Sequence, residues 1–191
     1  MGCFWSDFKN EDFIKDLSRE VNTDIVLFGI NGFAYFGNLQ AIHDCRIAIL
    51  SPAVQSDSTA VEILTPSGAK TSTSFLRVDL WTLVAKGSGI VSDPLVSSCT
   101  TPTPTTDDAV RSEPESLFCL MKRMIGDRIS ITTMGGFTIN GILSSMCNDT
   151  AIISVDDIYL PGACDPITST TVRSITVNLK TITAVGSSLL A

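Results

Sequence analysis

The feature that most constrains this chain is that it repeats itself. A shift of 104 residues carries Ile25, Gly32, Phe33, Gly37, Leu39 and Ile49 onto Ile129, Gly136, Phe137, Gly141, Leu143 and Ile153 without a gap. The same shift lays Phe13, Ile14, Leu17 and Val21 on Leu117, Phe118, Met121 and Ile125. Toward the end of each copy, a shift of 99 aligns Leu76, Val78, Leu80, Leu83, Ala85 and Gly87 with Ile175, Val177, Leu179, Ile182, Ala184 and Gly186. An ordered series of glycines and apolar positions marks two copies of one folding unit. It predicts domains at 1–90 and 113–191 joined by residues 91–112. The joint includes Ser97-Ser-Cys-Thr-Thr-Pro-Thr-Pro-Thr-Thr-Asp-Asp108, which has little apolar surface to bury and reads as a Thr/Pro/Ser-rich linker.

Each copy opens on an amphipathic helix, because Phe13, Ile14, Leu17 and Val21 fall on one helical face. Ser112-Glu-Pro-Glu115 has the form of a capping box for the second helix. The rest of each copy is β-rich. Residues 24–30 read as a strand, and Asn31-Gly32 as a two-residue hairpin turn with both central φ angles positive; Gly135-Gly136 stands there in the second copy. The second strand, over 33–42, is interrupted by Gly37, as its counterpart is by Gly141; a glycine inside a strand marks a bend or a close backbone approach. Gly32, Gly37, Gly136 and Gly141 are therefore the structural candidates. His43-Asp44-Cys45 and Cys147-Asn148-Asp149 make the next turns, and a third strand covers 46–50. After a variable loop come a fourth strand (74–80, 172–179), a tight turn and a short fifth strand (83–85, 182–185). The expected fold is mainly β with short helices: two five-stranded, strongly bent small barrels, each preceded by an α-helix.

A helix followed by five strands, with a glycine-containing bent second strand and a tight turn between strands four and five, resembles the Sm-like fold. The residues that carry the resemblance are Gly37-x-Leu39-x-x-x-x-Asp44-x-x-Ile47 and Gly141-x-Leu143-x-x-x-x-Asn148, then Val78-x-Leu80-x-x-Leu83 and Val177-x-Leu179-x-x-Ile182. An SH3-like or other five-stranded barrel is the structural competitor. The departures bear on function. The Asn that comes after the family's first-motif Asp is missing, since Arg46-Ile-Ala-Ile49 and Thr150-Ala-Ile-Ile153 stand there. The Arg-Gly of the second motif is replaced by Asp79-Leu-Trp81 and Asn178-Leu-Lys180. In Sm-like rings the loop after strand two faces the pore. The resemblance therefore nominates His43, Asp44, Asn148 and Asp149, together with Trp81 and Lys180, as candidate ligand or RNA contacts.

Composition narrows the chemistry. Thirteen Lys and Arg against 20 Asp and Glu leave a net charge of −7, which argues against wrapping DNA or another polyanion, because such binding needs clustered cations. Lys122-Arg123 with Arg128 is the one basic cluster. The single histidine, His43, has no counterpart in the second copy, where Cys147 stands, so a His-dependent nucleophile is not expected. Six cysteines form no C-x-x-C pair, and one histidine cannot complete a zinc set, so no metal and no cofactor are expected. Asp107-Asp108 and Asp156-Asp157 read as solvated acids, and the Gly-containing turns fit no phosphate loop. Nothing reads as a secretory signal or a membrane span, which predicts a cytoplasmic protein with free, mostly buried thiols. Met1-Gly2-Cys3-Phe4-Trp5-Ser6 fits the myristoylation pattern, against ordinary packing residues at Phe4 and Trp5.

Function divides into two expectations. The first is a non-catalytic assembly protein: Sm-like domains associate by pairing the fourth strand of one with the fifth of the next, which covers exposed strand edges. On this expectation the chain is a homo-oligomer, a trimer of two-domain chains giving a six-domain ring, held by residues 74–85 and 172–185. The middle of 171–180 carries no defending charge, so it is the edge expected to pair outside its own chain, and the first segment, with Arg77 and Asp79, less so. The competing expectation, which the long linker permits, is that the two domains pair only with each other and leave a monomer with a covered edge. The alternative is an RNA-binding Sm-like protein that holds short single strands at its pore loops.

Overall fold

The computed structural model describes residues 11–55, 59–90, 95, 116–163, 165–167 and 171–187. Within them the chain is mainly β, with two short helices and an open antiparallel sheet. The first half runs α1 (Glu11–Ser18), β1 (Asp24–Gly29), β2 (Ala34–His43), β3 (Ile47–Ser51), β4 (Val61–Leu64), β5 (Lys70–Thr73), β6 (Leu76–Asp79) and β7 (Leu83–Ser88). The second runs α2 (Leu117–Arg123), β8 (Arg128–Thr133), β9 (Thr138–Cys147), β10 (Thr150–Tyr159), β11 (Ser174–Asn178) and β12 (Ile182–Ser187). The linker expected over 91–112 lies outside the described residues apart from Leu95, as do Met1-Gly2-Cys3, the Ser112 box, Asp107-Asp108, and Cys3, Cys99 and Cys164. The helix that box was expected to cap takes Ser116 instead, whose hydroxyl accepts from the Cys119 N–H at 3.3 Å.

The duplication holds at the level of register. β2 and β9 keep the 104-residue offset from first residue to last. β10 is one continuous strand of ten residues, whereas the first half delivers the same pairing in two pieces. Ala34 faces Leu64 and Phe36 faces Glu62, as Thr138 faces Tyr159 and Asn140 faces Asp157. Residues 52–60 are therefore an insertion into one strand, and it is closed by Asp24, whose carboxylate accepts from the Val54 and Gln55 N–H groups at 2.9 and 2.8 Å. The short β4 and β5 were not expected from sequence, where this stretch reads as loop. A Cβ on Gly37 would stand 2.6 Å from the Ser51 carbonyl, and one on Gly141 would collide with the carbonyl of Ser154. Both glycines let the third strand's backbone approach closely. Between the fourth and fifth strands sits one turn of 3-10 helix, Leu80–Thr82 and Leu179–Thr181, capped by Asp79 and Asn178.

Turn chemistry departs from expectation. Asn31 keeps an ordinary negative φ; its side chain accepts from the Phe33 N–H at 3.2 Å, and a four-residue turn closes with Gly32 N–H on the Gly29 carbonyl, Gly32 alone taking φ 80°. In the second copy Gly135-Gly136 does take two positive φ angles, 90° and 82°, and so does the tip Asp44-Cys45, at 52° and 53°. The cysteines are not uniformly free and buried either. Cys45 is disulfide-bonded, and Cys119 and Cys147 are free but exposed, because hairpin tips and the outer face of α2 turn them away from the core.

All the strands join one sheet. Its main order is β12-β8-β9-β10-β11-β7-β1-β2-β3-β6, with β4 and β5 branching from β2. Each half alone has the order fifth-first-second-third-fourth, and the halves meet where β11 pairs with β7: Ser174 opposite Ser88, Ile175 opposite Gly87, Thr176 opposite Lys86 and Val177 opposite Ala85. This corrects the expected edges. The fourth strand of the second copy, read as undefended and outward-pairing, is covered inside its own chain, where a tethered strand is always at high local concentration. Among the described residues the main order ends at β6 and β12, and the branch ends at β5. Alternate residues of β1 feed two cores: Ile25 and Leu27 pack with Phe13, Leu17 and Leu39, while Val26 and Phe28 join the core of the second half, where Phe28 meets Phe137 edge-on at 5.1 Å.

Candidate functional site

The nominated residues occupy two equivalent corners, each formed by a hairpin tip and a 3-10 turn. In the second half the structure brings Asp149 and Lys180 together at 3.2 Å, and Asn178 Oδ1 accepts from the Lys180 N–H. The Asn148 amide donates to Asp12 of α1 at 2.6 Å, so this tip is tied to the first half. In the first half, Trp81 is 40% exposed and carries the Arg46 guanidinium 4.5 Å from its ring centre, while Arg46 also pairs with Asp79 at 3.3 Å. His43 and Asp44 are exposed at their tip, and the His43 side chain has no hydrogen bond among the described residues. The two corners therefore do not converge on one pocket. Arg46 was missed as a partner of Trp81, and no sequence pattern links the two; the structure shows that a tip residue and a turn residue meet in both copies.

Concavities among the described residues lie elsewhere. One of about 420 Å³ is lined by Glu20, Asp24, Asn38, Gln55 and neighbours. Its carboxylate is already engaged, since Asp24 accepts from the Asn38 amide at 2.8 Å besides the two backbone groups. A second, about 200 Å³, lies between α1 and the second half, lined by Asp12, Lys15, Asp16, Arg19, Cys147, Thr150 and Ile152.

The most unusual polar group is one that sequence reasoning missed. Lys86, on β7, is 1% exposed, and its ammonium lies 3.0 Å from Asp16 of α1 and 3.1 Å from Glu20 in the turn that follows it. Asp16 accepts in turn from the Thr176 hydroxyl of β11 at 3.0 Å. Two carboxylates, one from the last turn of α1 and one from the turn after it, answer one buried cation at the junction of the halves. Chemically the cluster holds surfaces together; every member is occupied. No protein-family model matches this chain, and no curated protein matches it. Among the described residues no helix is long and apolar enough to cross a membrane.

Proposed function

We propose that this chain is a non-catalytic tandem Sm-like assembly protein that associates with copies of itself through its end strands, three chains closing a ring of six domains. The observation that supports this reading is the β7–β11 junction. It joins a fifth strand to a fourth strand across the two copies, and among the described residues it leaves one fourth strand, β6, and one fifth strand, β12, at the ends of the main order. An exposed strand edge is a standing invitation to pairing. Each chain thus carries both halves of a second junction of the same type. Sedimentation equilibrium at tens of micromolar protein tests it: about three times 20.4 kDa is expected, and a single-chain mass overturns it.

A second reading, contact with short single-stranded RNA, is favoured by one feature, the exposed Trp81 ring with a guanidinium beside it, a combination on which bases stack. The net charge of −7 and the Lys180–Asp149 pairing weigh against it. An absorbance ratio typical of nucleic-acid-free protein after purification at low salt is the expected result. A cytoplasmic location belongs to the same proposal. The Cys45 disulfide opposes it, since reducing compartments keep thiols free, and counting reactive thiols in protein taken directly from cells decides the matter.

A further inference from the structure

The junction inside the chain provides a template against which the two free ends can be compared position by position. The 104 and 99 offsets that align the copies turn Asp16, Glu20 and Lys86 into Leu120, Met124 and Val185. Every member of the buried ionic cluster is thus apolar at the open end formed by α2 and β12, and the three change together. In the free chain this replacement is only partly covered: Leu120 is 37% exposed, with Phe118 at 41% beside it on α2, and Met124 and Val185 are half-buried against the core of the second half, whereas Lys86 is 1% exposed. At the other end, Thr176 and Ser174 of β11 correspond to Arg77 and Phe75, and Phe75 is 46% exposed.

The glycines point the same way. Gly87 sits under Val172 of the other half, whose methyl would lie 2.8 Å from a Cβ there, and under Val26. Its counterpart Gly186 faces open space: a Cβ there would have no atom within 4 Å, and its φ is not positive. A strand glycine weakens a strand unless a neighbour needs the room. At Gly186 no such neighbour stands among the described residues.

We infer that the α2–β12 end is an apolar docking face for β6 of a second copy, with Leu76 opposite Gly186, Arg77 opposite Val185 and Val78 opposite Ala184, and with Leu120 of α2 against Arg77. This rests on the assembly reading and specifies its interface. The occupant is a second copy because the chain already contains this pairing once, between its own halves, and carries the two complementary ends of it. The contact is head-to-tail: one chain offers β12 and receives β6 at its other end. The two junctions differ in chemistry: another chain's β6 in the place of β11 would set Phe75 and Arg77 where Ser174 and Thr176 stand, and the Thr176 hydroxyl's bond to Asp16 would be lost.

Sedimentation equilibrium on the full chain and three variants tests the inference, with circular dichroism and thermal unfolding of each as the measure of folding. Gly186→Val fills the empty space on a strand that tolerates β-branched residues, so it leaves the fold of the chain intact; its expected effect is to weaken association by about 10-fold to 100-fold. Leu120→Lys, on the helix surface, sets a cation against Arg77 of the second copy and is expected to do the same. Adding Arg77→Glu to Leu120→Lys is expected to restore association, because the two positions meet only between chains. If the unaltered protein associates and the Gly186→Val and Leu120→Lys variants keep its mass, the docking face is wrong and the assembly reading stands. A single-chain mass for the unaltered protein overturns both. Failure of the charge swap to rescue Leu120→Lys overturns the register.

Discussion

The first strands of the two halves, β1 and β8, occupy the same place in the duplicated pattern and are buried differently. β1, Asp24-Ile-Val-Leu-Phe-Gly29, is buried at all six positions, whereas β8, Arg128-Ile-Ser-Ile-Thr-Thr133, is buried only at alternate ones. The alignment sets Val26 against Ser130 and Phe28 against Thr132. A strand covered on both faces reads as a continuous apolar run, and one covered on a single face alternates. The backbone plan is therefore common to both halves, and the side chains record which neighbour each half has. The helices tell the same story: α1 is tied to the second half by Asp12 and Asp16, while α2 leaves Phe118, Leu120 and the nearby Ile125 exposed.

The sharpest way to break this comparison is to truncate equivalent aromatics. Phe137 is fully buried against Phe28, but its counterpart Phe33 is only half-buried, stacked on Tyr35 at 6.3 Å. Phe137→Ala should cost about 3–5 kcal/mol by urea denaturation, and Phe33→Ala far less; equal costs would mean that the halves are packed alike. Next in size, Gly141→Ala should cost about 3 kcal/mol, since its methyl meets backbone rather than a movable side chain, and Gly37→Ala should cost less. Lys86→Ala leaves Asp16 and Glu20 facing each other, both only partly solvated, and should cost about 2 kcal/mol. Giving the first half the second half's residues there (Asp16→Leu, Glu20→Met and Lys86→Val together) should recover most of that loss; no recovery would show that the ions do more than fill the junction.

The smallest expected effect is on pH dependence. Desolvation by burial, with Asp157 and Asp165 nearby, raises the Tyr159 phenol above its ordinary value of 10.0. A raised folded pKa means that the unfolded chain ionises first. The contribution is complete below pH 10.0 and is lost as pH rises through the folded value, so Tyr159→Phe should flatten the alkaline limb of the stability profile slightly. Titration curves of thermal midpoint against pH for the two proteins would measure it.

How much could be read from sequence depends on how much a local pattern can carry. Strand positions and the β2–β9 equivalence were legible because a two-residue period and an in-strand glycine each have one structural meaning. The Asn31-Gly32 turn was misread because the asparagine side chain, by holding the Phe33 N–H, selects a different turn from the one the dipeptide favours. β4 and β5 were missed because four-residue strands such as Val61-Glu-Ile-Leu64 give too short a pattern to separate from loop. At the corners, the Trp81 and Lys180 positions were visible, but the partner of Trp81 was not, since Arg46 and Trp81 lie far apart in sequence. Lys86 shows the limit most clearly. A strand's own alternation says which face is buried and is silent about what lies opposite.

The β7–β11 pairing also sets an order of events during synthesis. Ser88 of β7 and Ser174 of β11, which meet at 3.0 Å, are separated by 86 residues of chain. At ribosomal speeds of ~5–20 residues per second, about 4–17 seconds pass between the appearance of the two strands. The first half has all its own strands by the time β7 emerges, so it can fold at once, and it then waits with the outer edge of β7 and the second face of β1 uncovered. Val26 and Phe28 are solvent-facing for that interval. The nascent chain is therefore most vulnerable to wrong strand partners in mid-synthesis, and any second ribosome on the same message carries the wrong partner closest at hand.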